Sequence, residues 1–335
     1  PLKYNQPVVK KGDRPMKPMV SICCATYNHG RFIAKTLDSF LMQKTEFPIE
    51  ILINDDASTD DTAKIIQEYT ARHPDIIKPI YQTTNQYSQG VPIDPTFNYP
   101  RAQGKYIALC EGDDFWCDEQ KLQRQVDYMQ AHPNCTFCFT NGYIEDESGE
   151  RAQRVFLPYS AKDQSGYFAA EHEYTVGEMC ALNFVPTASF LFPTAVLSRL
   201  PATYWQKKCP HGDLKLRMFC TAAGYGVYLH AFTCVYRENV AGGAMSGWSR
   251  EGSARAHSRV FDRAQSVAEM LSDVDEWSEK KYTEPIGRFR DWYLYVMLFN
   301  APLREVLQNA DVKRVYQALP IGKRWKLCLK ELLKR

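Results

Sequence analysis

The chain has 335 residues, 44% of them apolar and 24% charged, and its 41 Lys and Arg against 39 Asp and Glu leave a net charge of +2. This is ordinary globular composition, which excludes disordered, collagen-like and disulfide-scaffold classes; the length suits one large domain with an appendage, or two domains. So even a balance provides no basic field to hold a polyanion, and nucleic acid is not expected as a partner.

Residues 1–18 are polar and punctuated by prolines, and read as a flexible leader without secretory character. Met19 to Cys24 is a short apolar run suited to a buried strand. The polar turn Thr26-Tyr27-Asn28-His29-Gly30 follows, and then Phe32, Ile33, Thr36, Leu37, Phe40 and Leu41 recur at helical spacing. Ile49 to Ile53 predicts a second strand that ends in Asn54-Asp55-Asp56-Ala57-Ser58-Thr59-Asp60-Asp61. Ser58 with Asp61 three residues on resembles a capping box for a helix carrying Ile65, Ile66 and Tyr69. Ile76 to Tyr81 predicts a third strand. Residues 82–104 are loop-rich, and Lys105 to Cys110 is a further strand running into Glu111-Gly112-Asp113-Asp114-Phe115-Trp116. A helix is expected from about Asp118 to Ala131, a strand at Thr136 to Thr140, a helix opened by His211-Gly212-Asp213, a strand from Gly226 to Phe232, and helices from about Ser253 onward. Strand–helix alternation of this kind predicts a mainly parallel sheet with helices on both faces. Ligands of such sheets bind beyond the carboxyl ends of the strands, where both polar clusters fall.

The 11 cysteines are scattered, several of them in apolar runs (Cys23, Cys24, Cys110, Cys138), as in reduced and buried thiols. Cys135 and Cys138 form a CxxC with no second metal-spaced pair, and read as core. No apolar run approaches the ~18 residues of a membrane span, and the expected location is cytoplasmic.

Three carboxylates within four residues at a strand end are costly unless a cation offsets them. Glu111, Asp113 and Asp114 are hard oxygen donors suited to Mg²⁺ or Mn²⁺ shared with a diphosphate; a solvated acidic turn is the alternative. Asp55, with Asp56 beside it, ends a neighbouring strand and can accept the N–H of a pyrimidine, or cap the next helix. Thr26 and Tyr27 offer a hydroxyl and a ring to a base. No GxGxxG or GxxxxGK[ST] occurs near these strands, so a dinucleotide dehydrogenase and a P-loop phosphotransferase are poorly supported.

The run Val20 to Asn28, the element Ile51 to Asp60, and Gly104-Lys105-Tyr106-Ile107-Ala108-Leu109-Cys110-Glu111-Gly112-Asp113-Asp114 together resemble the family-two glycosyltransferases with a GT-A fold, over roughly residues 19–245. The form Glu-Gly-Asp-Asp-Phe-Trp is similar to a bacterial subgroup that builds surface polysaccharides. The resemblance implies a GT-A α/β fold with a Rossmann-like, mainly parallel sheet. It divides the catalytic domain, 19–250, into a nucleotide-binding half at about 19–118 and an acceptor half at about 119–250. A helical C-terminal region, 251–335, follows. It places Thr26, Tyr27, Asp55 and Asp56 at the nucleoside, Asp113 at the metal with Glu111 and Asp114 flanking, and Asp213 as catalytic base. Tyr236-Arg237 with Gly242-Gly243 is similar to the family's closing loop. Ala57 stands where the family usually has Gly, Glu111 where it has Asp, His211-Gly212 where an acidic lead-in is usual, and Asn239 near a common His.

The activity so implied is metal-dependent, inverting transfer from a UDP-sugar to a hydroxyl of a glycan or lipid-linked acceptor. Asp213 takes the acceptor proton or caps its helix. Arg237 clamps the diphosphate or pairs with an acid. Trp116 packs on the sugar or the core, and Thr187 and Ser189 face the donor sugar or form an ordinary turn. A nucleotidyltransferase would want a Gly-rich basic loop after the first strand, and Thr26 to Arg31 is too short for one. An inactive glycan-binding scaffold is opposed by retention of Asp55, Asp113 and Asp213. Residues 321–335 hold six basic residues against the single acid Glu331, with Trp325, Cys328, Leu329, Leu332 and Leu333 on one helical face. Such a helix lies in an anionic membrane surface or packs on the protein.

Overall fold

Strand β1 (Val20–Thr26) is buried on both faces, and the two faces feed different cores: Val20, Ile22 and Cys24 enter one, Cys23 the other. Side chains alternate along a strand, so a strand of this kind lies inside a sheet covered on both sides. The computed structural model describes residues 17–146, 153–159, 165–207, 209–238 and 253–332. After β1 come α1 (Ile33–Leu41), β2 (Ile49–Asp55), α2 (Thr62–Arg72), β3 (Ile77–Tyr81), β4 (Tyr106–Leu109), β5 (Phe115–Trp116), α3 (Lys121–Ala131) and β6 (Cys135–Asp146). The chain continues with β7 (Arg154–Val155), β8 (His172–Tyr174), α4 (Val176–Ala181), β9 (Leu191–Pro193), α5 (Thr194–Leu197), α6 (Ala202–Gln206), α7 (Gly212–Ala223) and β10 (Tyr225–Glu238). Helices α8 (Ser253–Trp277), α9 (Thr283–Asn300), α10 (Leu303–Val306), α11 (Ala310–Ala318) and α12 (Ile321–Leu332) complete the described residues.

The strands form one sheet in the order β3-β2-β1-β4-β9-β6-β10-β5, with β7 on β6 and β8 on β10. Strands β3, β2, β1 and β4 are mutually parallel, as are β6 and β10. The expected mainly parallel sheet is therefore present, and four short antiparallel strands, β5, β7, β8 and β9, are added to it. From β1 the chain builds outward through β2 to β3, then returns to place β4 on the other side of β1. Strand order reverses at that point, beyond the carboxyl ends of β1 and β4, where ligands of such sheets bind.

One core packs α1, α2 and α3 against the sheet through Ile33, Leu37, Phe40, Ile66, Leu122 and Val126. The other joins Phe137 and Phe139 of β6 to Phe219 of α7, and also to Val267, Leu271 and Val274 of α8 and Ile286 of α9. The helical region is thus built into the same core as the sheet. A third cluster holds α9, α10, α11 and α12 together through Leu298, Val306, Val312 and Leu327. All cysteines are free; Cys135 and Cys138 are buried in the core, as expected.

A buried carboxylate ties the nucleotide half together. Glu50 of β2 accepts the Ser21 hydroxyl at 2.6 Å and the Gln103 N–H at 2.7 Å, and pairs with Lys78 at 2.6 Å. Gly104 comes so close that an added Cβ would lie 2.5 Å from the Ser21 nitrogen and 2.8 Å from the Val20 carbonyl carbon. Backbone atoms cannot yield, so Gly104→Ala is expected to destabilise by about 1–3 kcal/mol. A thermal melt checks this against Gly287→Ala, where a helical Cβ meets open space and stability should hold or rise. Equal melting of the two variants would refute the close-approach argument.

Candidate active site

Two loops at the strand ends are laced together. The Asn28 N–H donates to Ser58 Oγ at 2.9 Å, the Thr59 N–H to Asn28 Oδ1 at 2.8 Å, and the Gly30 N–H to Asp60 Oδ2 at 2.9 Å. Asn28 and Ala57 hold φ of 54° and 62°. Ala57 therefore occupies the left-handed region that glycine, usual at this place in the resembling family, enters without cost. The Ser58 hydroxyl donates to Asp55 Oδ1 rather than capping α2. Asp60 takes the Thr62 N–H instead, at 3.0 Å, so the expected capping box is replaced by its neighbour. Burial holds the Asp55 carboxyl above its ordinary range, and no described donor other than Ser58 takes it. Thr26 is buried at the end of β1, with its hydroxyl 3.1 Å from His29 Nδ1, and Tyr27 is exposed on the rim.

Asp56 faces elsewhere. Its oxygens accept the Gln86 and Tyr87 N–H groups at 2.7 and 3.0 Å, which orders the loop after β3. Of two adjacent strand-end acids, one takes the Ser58 hydroxyl and the other holds a loop.

The acidic turn lies between β4 and β5, and both ends are fixed in the sheet. Gly112 packs on β1 so tightly that a Cβ would lie 2.4 Å from Thr26 Oγ1 and 2.9 Å from His29 Nδ1. Asp113 comes within 3.7 Å of His29 Nε2, and its side chain is 16% exposed. Glu111 is open to solvent at the mouth and has no hydrogen-bond donor among the described residues. Partial enclosure by the turn, with the charges of Asp113, Asp94 and Asp213, raises its carboxyl above the ordinary range. Asp114 turns inward: its Oδ1 accepts the Arg237 N–H at 2.9 Å, and burial beside Asp113 and Glu111 raises it well above the carboxylate range. It is not open to a cation, which corrects the expectation of Asp114 as a ligand.

Arg237 is buried, with its guanidinium 4.9 Å from the ring of Phe32 and 4.6 Å from that of Phe115. It donates to the Asp113 carbonyl and lies 3.5 Å from Glu145. Those contacts occupy it as a brace for the acidic turn, not as a clamp free to seize a diphosphate. Asn239, Gly242 and Gly243 of the expected closing loop lie outside the described residues.

Asp213 stands in the first turn of α7, whose N-cap is His211 without a side-chain bond. Among the described residues no capping bond from the Asp213 carboxylate is found. Its charge contributes to raising the Glu111 carboxyl and acts on the neighbouring His211. Trp116 is buried, donates its indole N–H to the Ala188 carbonyl at 2.8 Å and packs on Phe40 at 4.8 Å. Pairing of β5 with β10 turns it into the core, away from any sugar. Ser189 is buried with its hydroxyl on the Pro186 carbonyl at 2.7 Å, whereas Thr187 is half-buried.

Sequence reasoning missed His29, Asp94 and Thr36. The Thr36 hydroxyl lies 2.6 Å from the Asp114 carbonyl. Asp94 accepts from Asn98 at 2.6 Å, and burial raises it to about 6. The signal for His29 was its place one residue beyond the Thr-Tyr-Asn turn; Asp94 opens a short helical turn, Asp94–Asn98, in a stretch without a sequence pattern.

Among the described residues no three His, Cys, Asp or Glu side chains converge to hold a metal by themselves. Glu111 and Asp113 are hard donors without a full set of partners. They fit a divalent cation of the kind held by one or two carboxylates plus substrate phosphates.

Residues 21–185 match the family model described as Glycosyl transferase family 2. An uncharacterized protein of Mycobacterium tuberculosis is 39% identical over 173 residues, covering 52% of this chain and 46% of the relative. The Escherichia coli UDP-Glc:alpha-D-GlcNAc-diphosphoundecaprenol beta-1,3-glucosyltransferase WfaP is 36% identical over 129 residues, 38% of this chain and 48% of WfaP. The chain thus spans about half the length of the curated relatives it matches. Staphylococcus aureus TarS 1–349, solved in complex with UDP-GlcNAc, superposes with a TM-score of 0.55 at 17% identity, covering 91% of this chain and 84% of that 1–349 chain. With the switch point, the strand-end acids and these likenesses together, the chain carries a family 2 glycosyltransferase domain on a GT-A fold.

Proposed function

We propose that the protein is a metal-dependent, inverting glycosyltransferase that moves a sugar from a UDP-sugar to a hydroxyl of a glycan or lipid-linked acceptor. The setting is bacterial surface polysaccharide synthesis, on the cytoplasmic side. The observation that carries this reading is the acidic turn of Glu111 and Asp113 after β4 and the Asp55 end of β2, set on either side of β1 at the switch point of the sheet. The named activity of WfaP and the UDP-GlcNAc complex of TarS support the choice of UDP. No helix of the described residues is long and apolar enough to cross a membrane.

In this reading Asp55 accepts the ring N–H of uracil, with Thr26 and Tyr27 beside the base. Glu111 and Asp113 would hold Mn²⁺ or Mg²⁺, and the cation would supply charge neutralisation to the departing nucleoside diphosphate. Asp213 takes the proton of the acceptor hydroxyl. The acceptor oxygen bonds to the anomeric carbon as the carbon–diphosphate bond breaks on the opposite face, which inverts the centre in one displacement. Arg237 and Thr36 hold the backbone of the acidic turn so that Asp113 stays at the carboxyl ends of the strands. Thr187 is the remaining candidate for the donor sugar.

The test is nucleotide release from a panel of UDP-sugars with acceptor glycans, with Mn²⁺ or with chelator. UDP that appears only with metal is the expected product. With UTP and sugar 1-phosphates in place of the UDP-sugars, pyrophosphate release would mark a nucleotidyltransferase, and the absence of product in both assays would mark a binding scaffold.

A further inference from the structure

Helix α12 is docked by one face and bare on another. Leu327 is 4% exposed, and Cys328 is half-buried with its sulfur 3.4 Å from the Tyr316 hydroxyl. On the outer side Ile321, Trp325 and Leu329 stand four residues apart and are 65%, 65% and 51% exposed. The expected apolar face is therefore corrected: Cys328 turns inward, Ile321 joins the stripe, and Leu333 lies outside the described residues. At about 100° per residue, Lys326 sits roughly 100° around the axis from Trp325 and flanks the stripe, whereas Lys323, roughly 160° away, stands toward the docked side. Both are exposed, and Lys323 lies 5.8 Å over the ring of Tyr295 in α9. Lys330, Lys334 and Arg335 extend the basic character of the sequence, against the single acid Glu331.

We infer that α12 docks the protein on an anionic membrane surface, with Ile321, Trp325 and Leu329 in the headgroup boundary and Lys326 on lipid phosphates. An aligned apolar stripe with a cationic flank is the pattern of a helix lying in an interface, and an indole favours that depth. A second copy is a poorer occupant, because a two-fold contact sets the same cations against each other. The inference stands on α12 alone and does not depend on the transfer reaction.

The experiment is sedimentation of the full chain with phosphatidylglycerol vesicles and with phosphatidylcholine vesicles, at low and high salt. The second protein is the Trp325→Ser, Leu329→Ser double variant. Both side chains are exposed, so an unchanged thermal melt confirms that the variant is folded. Binding to anionic vesicles alone, weakened by salt and at least ~10-fold weaker in the double variant, is the expected result. No binding by the intact chain, or binding indifferent to the double variant, overturns the inference. A concentration-dependent dimer that the double variant abolishes, without vesicle binding, assigns the stripe to a second copy instead.

Discussion

Asp213→Asn is expected to reduce turnover by about 10²–10⁴-fold, the range of a lost general base, while nucleotide affinity stays unchanged. Asparagine keeps the size of the side chain and its ability to accept hydrogen bonds but takes no proton. The substitution sits in the first turn of α7, where among the described residues no capping bond depends on the carboxylate. Asp55, Thr26 and Tyr27 lie at the ends of β1 and β2, on elements that the change does not touch. Turnover measured beside calorimetric UDP binding separates the two effects. An Asn variant as active as the parent would move the base to another carboxylate and leave Asp213 as a helix-end charge.

Asp113→Ala is expected to lose at least ~10²-fold in turnover and to weaken the metal requirement, because it removes a donor from the site of charge neutralisation. The fold should survive. Gly112 still packs on Thr26, Asp114 still accepts the Arg237 N–H, and Arg237 still holds the carbonyl at position 113. Titration of Mn²⁺ against UDP release, with a thermal melt alongside, is the measurement. Near-normal turnover without metal dependence would remove the cation from this turn.

The strands that build the site were legible because each is a short apolar run stopped by polar residues: Val20 to Thr26, Ile49 to Asp55, Tyr106 to Leu109. Their ends carry the acids, and parallel order places those ends together. What the residues could not disclose was set by pairings distant in the chain. Arg237 meets the Asp113 carbonyl across 124 positions, so its role as a brace is invisible locally. Trp116 is turned into the core by the pairing with Cys234. The pair Asp55-Asp56 reads as two equivalent acids, yet only the alternation of side chains at the strand end and the return of residues 86 and 87 decide which one holds a loop. Position within a motif identified the acidic turn. Contact, not motif, sorted Asp113 from Asp114.

Inheritance and folding follow different boundaries in this chain. The family match stops at residue 185, between Leu182 and Phe190, which share one core with Phe219, Leu271 and Ile286. Heat should therefore melt the sheet and helices α8 and α9 in a single cooperative step, with no plateau between them. A chimera that exchanges the part after residue 185 for that of a relative inherits the same demand. It has to bring the matching helices, because half of a packing interface transplanted alone would leave aromatic side chains facing water.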